Sequence, residues 1–349
     1  MSGTQITLLI ILASLLFLAL LVYLFGLFLF RATLRAFPQR KWQPFITNAL
    51  RSTEVFKDGY ERITIRAKDG MRLSAYHFKG GDRRVAVLCH GYNGYPTDLW
   101  RQLSHFLKQG YSVLLPIARA HGDSECPYIG MGWRERFDLI AWCKEMEGRY
   151  PAAKLLLFGH SMGASTVMMA LGEESLPSSV VCAVEDCGYT SVHEEFAVQI
   201  KAQYRLPAFP FLKVADRIAK RRLGYGFKEA SALLQIKKSQ TPILFIHGDK
   251  DNFVPTYMAA LLHDACSSDY KDILIVRMRS VPAIDATAMN ALSDLYKKCS
   301  KKGIQLVFSH VNEQPYNAMK KSGLRDLVGK ENFCPNINSA IERAIQIAE

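Results

Sequence analysis

Residues 6–30 form a single apolar tract without one charged side chain. At about 1.5 Å of rise per residue it is long enough to cross roughly 30 Å of hydrocarbon as a helix. Farther on, 61–67 and 71–79 alternate apolar and polar positions around Lys68-Asp69-Gly70, the pattern of a hairpin. The rhythm then changes. Near-continuous apolar runs at 85–89, 112–116, 154–158, 180–184 and 242–246 alternate with helical patterns at 97–108, 133–147, 162–172 and 192–204. Strands of that kind between helices predict an α/β fold, a doubly wound and mostly parallel sheet covered on both faces.

Residues 205–238 interrupt the alternation with Pro207, Pro210 and a mixture of Phe209, Phe211, Arg217, Lys220, Arg221 and Arg222. Two readings stay open for this helical excursion: a solvated surface element with aromatic core contacts, or a lid over a site, resting on a bilayer surface. A last strand–helix pattern begins near 273, repeats its strand at 303–308, and ends in a helix at 336–348.

Charge bears on orientation. Residues 1–5 carry no basic side chain, whereas Arg31, Arg35, Arg40 and Lys41 follow the apolar tract. A cleaved leader would need a basic start and a shorter apolar core, so a spanning helix is the expectation. The excess of cations behind it places the main domain in the cytoplasm, as a single-pass membrane protein. A net charge of +12 then finds its nearest partner in anionic lipid. No long basic run or nucleic-acid fingerprint points to nucleic acid. The eight cysteines are scattered without C-x-x-C pairs, as reduced thiols of a cytoplasmic domain would be. Neither a metal nor a cofactor is expected.

The strongest chemical signal is Gly159-His160-Ser161-Met162-Gly163 directly behind the apolar run 154–158. A serine at a tight strand-to-helix turn needs glycine on either side, where a side chain would clash, and such a turn presents the hydroxyl as a nucleophile. Acyl transfer also needs donors for the oxyanion. The Met162 amide at the helix start supplies one, and the Tyr92 amide, in the turn His90-Gly91-Tyr92-Asn93-Gly94, is the candidate for the second. In that turn His90 reads as structural. For the acid, Asp251 follows the strand 242–246, at the same edge of a parallel sheet. Asp249 reads as a turn former, and Asp186, at the end of another strand, as a weaker rival.

These motifs, with Arg119-Ala120-His121-Gly122-Asp123-Ser124-Glu125 and Ile129-Gly130-Met131-Gly132-Trp133, stand in an order that resembles the α/β-hydrolase family over about 55–272. The resemblance is closest to a bacterial branch with an N-terminal membrane anchor. It implies Ser161 as nucleophile, Asp251 as acid, Tyr92 and Met162 as oxyanion donors, and hydrolysis of an ester, thioester or peptide bond. Cys126 stands where that branch usually has glycine. The family then places its histidine in the loop after one more strand. Here that loop reads Arg279-Ser280-Val281-Pro282-Ala283-Ile284-Asp285, with no histidine. His263, His310, His121 and His160 are poorly placed alternatives, and the base stays unassigned.

From Ile273 onward the chain resembles something else. Ile273-Leu274-Ile275-Val276-Arg277-Met278-Arg279, then Val281-Pro282-Ala283-Ile284-Asp285-Ala286-Thr287, a helix, and Gly303-Ile304-Gln305-Leu306-Val307-Phe308 look like the second half of a STAS domain, a module of sulfate-type transporters and anti-sigma-factor antagonists. Regulatory members carry a phosphorylatable serine near that D-x-x segment, where this chain offers only Thr287. Counterparts of the module's opening strands are not visible upstream. The abrupt change reads as a fusion, or as an error of sequence assembly, near 271–276. Its first strand and helix are expected to complete the hydrolase sheet without restoring the base.

The expected layout is therefore an anchor over 1–35, a hydrolase domain over 36–272 with its helical excursion at 205–238, and a STAS-like segment over 273–349. The function that follows is a membrane-anchored serine hydrolase for a small acyl substrate or peptide. The alternative is a non-catalytic interaction or regulatory module, with a protein partner on the C-terminal segment.

Overall fold

A computed structural model describes residues 2–35, 59–248, 251–268, 273–279, 281–301 and 303–348. Arg40 and Lys41 of the basic flank, Asp249 of the turn, and the start of the 271–276 seam lie outside the described residues.

Helix α1 spans Gly3–Leu34, longer at both ends than the apolar tract. Its start is fixed by a capping box, in which the Ser2 hydroxyl accepts from the Gln5 amide and the Gln5 side chain accepts from the Ser2 amide. Its end is fixed by tertiary packing, since Gly26, Leu29, Phe30 and Leu34 are buried against the body. The earlier turns stand free, and α1 is a candidate membrane span by length and composition.

Among the described residues ten strands form one sheet in the order β1-β2-β4-β3-β5-β6-β7-β8-β9-β10. The hairpin β1 (Glu61–Arg66) and β2 (Arg72–Phe78) is antiparallel, as is β2 on β4 (Ser112–Pro116). All other pairs are parallel, through β3 (Arg84–Cys89), β5 (Lys154–His160), β6 (Val180–Asp186) and β7 (Ile243–Gly248) to β8 (Ile273–Arg277), β9 (Gln305–Ser309) and β10 (Phe333–Cys334). The seam near 273 is thus invisible to the hydrogen-bond ladder, with β8 docking on β7 in regular parallel register.

Helices cover both faces because the strands are apolar on both. One face carries α3 (Glu135–Arg149), α4 (Met162–Leu171) and the buried end of α1, around Trp142, Met168 and Phe30. Toward the opposite face, α2 (Trp100–Lys108) and α12 (Ile337–Ala348) contribute Leu103, Phe106, Ala340 and Ala344. Beyond β8, α9 (Ala286–Lys301), α10 (Glu313–Lys321) and α11 (Leu324–Val328) close a third apolar cluster on Met278, Phe308 and Met319.

The excursion after α5 (Val192–Tyr204) contains α6 (Phe211–Leu223) and α7 (Ala232–Ile236), followed after β7 by α8 (Tyr257–Ala265). Helix α6 lies along α1. Gly26 permits that approach, for a Cβ there would sit 2.6 Å from Val214 Cβ. Phe25 bridges the same seam, with ring centroids 4.9 Å from Phe211 and 5.5 Å from Tyr204.

Candidate active site

Ser161 joins β5 to α4 with φ 54° and ψ −118°, a conformation that costs a residue with a side chain of order 1–3 kcal/mol. The surroundings hold it there. Its amide donates to the Asp186 carbonyl at 2.8 Å, and its carbonyl accepts from the Ser165 amide at 3.1 Å. A Cβ on Gly159 would strike the Gly163 carbonyl, and one on Gly163 would strike the Cys89 carbonyl at the end of β3. Both flanking glycines are therefore required by close backbone approach.

Gly91 runs past Ser161, with its Cβ position 3.3 Å from Ser161 Cβ, and this brings Tyr92 alongside. Among the described residues neither the Tyr92 nor the Met162 amide has a protein acceptor, so both remain available to a developing negative charge. The Tyr92 hydroxyl donates to the Thr33 carbonyl of α1 at 2.7 Å. Ser161 and Tyr92 line a mostly apolar cavity of about 100 Å³ with Leu29 and Thr33 of α1, Phe196 and Ile200 of α5, and Leu212 of α6.

The two acids sit in different surroundings. Asp251 folds back on its own loop, Oδ1 accepting from the Phe253 and Val254 amides at 2.9 Å each, with Oδ2 3.9 Å from His247 Nε2. Phe253, two residues on, reaches the cavity. Asp186 is buried, 2% exposed, yet its carboxyl is held down at about 2. Burial alone would raise it; a hydrogen bond from His160 and the charge of Arg277 more than reverse that. Arg277 Nη1 lies 2.9 Å from both Asp186 oxygens, and His160 Nδ1 lies 3.3 Å from Oδ2. For His160 burial opposes the charged ring, and Asp186 outweighs it, leaving its pKa raised.

Among the described residues none of the nine histidines bonds to the Ser161 hydroxyl. His90 is saturated, Nδ1–H donating to the Gly91 carbonyl at 2.9 Å and Nε2 accepting from the Ala118 amide at 3.0 Å. His121 matches it, donating to the Arg119 carbonyl and accepting from the Asn93 amide. Burial depresses both rings, His90 to about 3. As neutral imidazoles they fix the loops around the turn His90-Gly91-Tyr92-Asn93-Gly94. His263 packs on the Phe245 ring on α8. His310 caps β9 at φ 56°, its Nδ1 buried without a partner; burial and the charges of Arg277, Arg279 and Arg101 lower its pKa.

Two features were not read from the sequence. Arg277 occupies the edge at the end of β8, beside the loop where the family's histidine was sought. Its position was visible, but a lone arginine in a strand carries no signal of its partner. Glu195 on α5 lines the cavity itself, and a glutamate beside Glu194 in a first helical turn carries no sequence signal of burial. Cys187, His247 and Asp251 also present potential ligand atoms within 4.8 Å of one another. The Cys187 thiol donates to Asp186 Oδ1 at 3.3 Å, and burial and that carboxylate push its pKa far up.

Comparison with known proteins agrees with this architecture. Residues 85–230 match the alpha/beta hydrolase fold family, and residues 235–340 match the STAS domain. The second match opens upstream of 273, so β7 and α8 stand inside it. YqkD of Bacillus subtilis is 29% identical over 197 residues, 56% of this chain and 64% of its own length. The membrane protein YNL320W of Saccharomyces cerevisiae is 25% identical over 220 residues, 61% of this chain and 70% of that protein. Probable sulfate transporter 4.2 of Arabidopsis thaliana is 32% identical over 111 residues, 31% of this chain. The chain thus spans less than two thirds of the bacterial relative and 16% of the plant transporter. Among solved structures, the Pyrococcus furiosus esterase Pf2001 superposes with a TM-score of 0.55 at 21% identity, over 77% of this chain and 97% of that one. The chain therefore carries an α/β-hydrolase domain that continues, through one unbroken sheet, into a C-terminal STAS domain.

Proposed function

We propose that the chain is a membrane-anchored serine hydrolase acting on an ester, thioester or peptide bond, with its main domain at the cytoplasmic face of the bilayer. The observation that carries this reading is the strained backbone of Ser161 on the wall of an apolar cavity. Ser161 Oγ attacks the substrate carbonyl, and the Tyr92 and Met162 amides receive the oxyanion. Asp251 is the acid of the arrangement, and the acceptor of the serine proton is unassigned. Helix α1 inserts in the bilayer through its free turns, and the anchor covers 1–35, the hydrolase body 36–272 and the STAS-like segment 273–349.

A second reading is favoured by one observation: Arg277, ion-paired to Asp186, stands near where a base would be sought. On that reading the chain is a non-catalytic module whose C-terminal segment binds a protein. A fluorophosphonate probe on the full chain in lipid nanodiscs separates the two. Labelling that Ser161→Ala abolishes is the expected result. A folded sample that takes no label and turns over no activated ester would refute the enzyme reading.

A further inference from the structure

The polar groups on the cavity wall are almost all spent within the protein. The Tyr92 hydroxyl donates to the Thr33 carbonyl, the Tyr189 hydroxyl to the Met131 carbonyl at 3.0 Å, and the Thr33 hydroxyl to the Leu29 carbonyl at 2.7 Å. The Gln199 amide nitrogen serves Glu195 Oε1 at 2.9 Å and the Phe253 carbonyl at 2.8 Å, which fixes its position. Apart from Gln203 and Tyr204, which lie at the exposed end of α5, two side-chain oxygens among the described wall residues are left over. One is the Ser161 hydroxyl, and the other is Glu195 Oε2, buried and without any partner on a residue only 3% exposed.

A carboxyl oxygen buried beside Phe196, Ile200 and Leu212 is costly unless something bonds to it. A plain alkyl chain in this cavity would leave that cost in place, whereas a chain with one hydroxyl would remove it. We propose that Glu195 determines acyl-group specificity, its free oxygen bonding a hydroxyl close to the carbonyl of the acyl group while the apolar remainder lies between α1, α5 and α6. This rests on the reading of Ser161 as nucleophile, because that serine marks the end of the cavity where the carbonyl sits. Burial and the nearby negative charge of Asp251 push the Glu195 carboxyl up to about 7, so near neutral pH it can accept from the ligand hydroxyl or donate to it. The wall from α1 supplies the source. On the reading of α1 as a membrane anchor, Leu29 and Thr33 put one wall of the cavity on the anchoring helix, close to the lipid that would supply the acyl group.

The test measures binding rather than turnover, so it does not depend on the missing base. Full-length Ser161→Ala protein in nanodiscs is titrated with methyl decanoate and with its 2-hydroxy and 3-hydroxy analogues, neutral probes that avoid repulsion by Asp251. One hydroxyl ester binds about tenfold tighter than the plain ester, ~1.4 kcal/mol. Adding Glu195→Met, close in length and apolar, reverses that order, and adding Glu195→Gln retains most of it. Binding of the plain ester by the Glu195→Met protein reports that the variant is folded; if it is not, Glu195→Gln against the parent carries the comparison through its smaller loss. A parent that prefers the plain ester, or an order unchanged by both substitutions, would mean that water satisfies Oε2 and would overturn the proposal. Absent fluorophosphonate labelling with this preference intact would instead overturn only the catalytic reading.

Discussion

Arg277→Ala removes the cation that the last third of the chain delivers to the hydrolase body. Asp186 is buried, and its carboxyl lies at about 2 against an ordinary 3.8. That difference corresponds to about 2–3 kcal/mol at 1.36 kcal/mol per pKa unit. Since burial by itself would raise the value, the favourable partners together contribute more than this net figure. The folded value is the depressed one, so the stabilisation is fully present above pH 4 and is lost only as pH falls toward 2. At pH 7 the variant therefore bears the whole loss, and the remaining His160 contact offsets part of it. We expect a cost of about 2–4 kcal/mol, in the range for breaking one side of a buried pair. Urea denaturation of the full chain in detergent, followed by intrinsic fluorescence, measures it. Asp186→Asn in the same background should recover at least ~1 kcal/mol of it, because the orphaned charge is gone. A variant within 0.5 kcal/mol of the parent, or additive costs in the double variant, would refute the idea that this ion pair fastens β8 to the hydrolase sheet.

Two further substitutions test how the site is supported. Gly163→Ala drives a methyl into the Cys89 carbonyl, with the Cys89 carbonyl carbon at 2.6 Å and the His90 oxygen at 2.8 Å. Backbone atoms cannot swing aside, so a loss of about 1–3 kcal/mol in urea denaturation and loss of probe labelling at Ser161 are expected. Gly26→Leu forces α1 away from Val214. It should quicken tryptic cleavage at Lys220, Arg221 and Arg222 on α6, and an unchanged cleavage rate would show that the seam between α1 and α6 does not depend on that glycine.

Much of the fold was legible because its signals are local. Period-two and continuous apolar runs marked the hairpin and the parallel strands, and the regular ladder from β7 through β9 bears out the expectation that the foreign-looking segment completes the sheet. Ser161 was legible for the same reason, since an elbow needs only a strand, two glycines and a helix in succession. Helix α1 was read as 6–30 from its uncharged tract, and its true ends came from a cap and from packing on α6, neither of which hydropathy records.

Local pattern was enough for the elements up to β9, though not for α10, α11 and β10, and chain order put Ser161, Tyr92, Met162 and Asp251 at one edge of the sheet. The sequence by itself also determined that no histidine follows β8 in the expected loop. Only the tertiary structure decided what surrounds the serine. It turned the end of helix α1 into a wall of the cavity, set Arg277 against Asp186 across 91 positions of chain, and buried Glu195 with an unsatisfied oxygen. The physical reason is that charge and polarity have their energetic meaning from surroundings. A carboxylate in water, one paired to arginine, and one facing an apolar cavity are the same letter in a sequence, and burial and neighbours alone tell them apart.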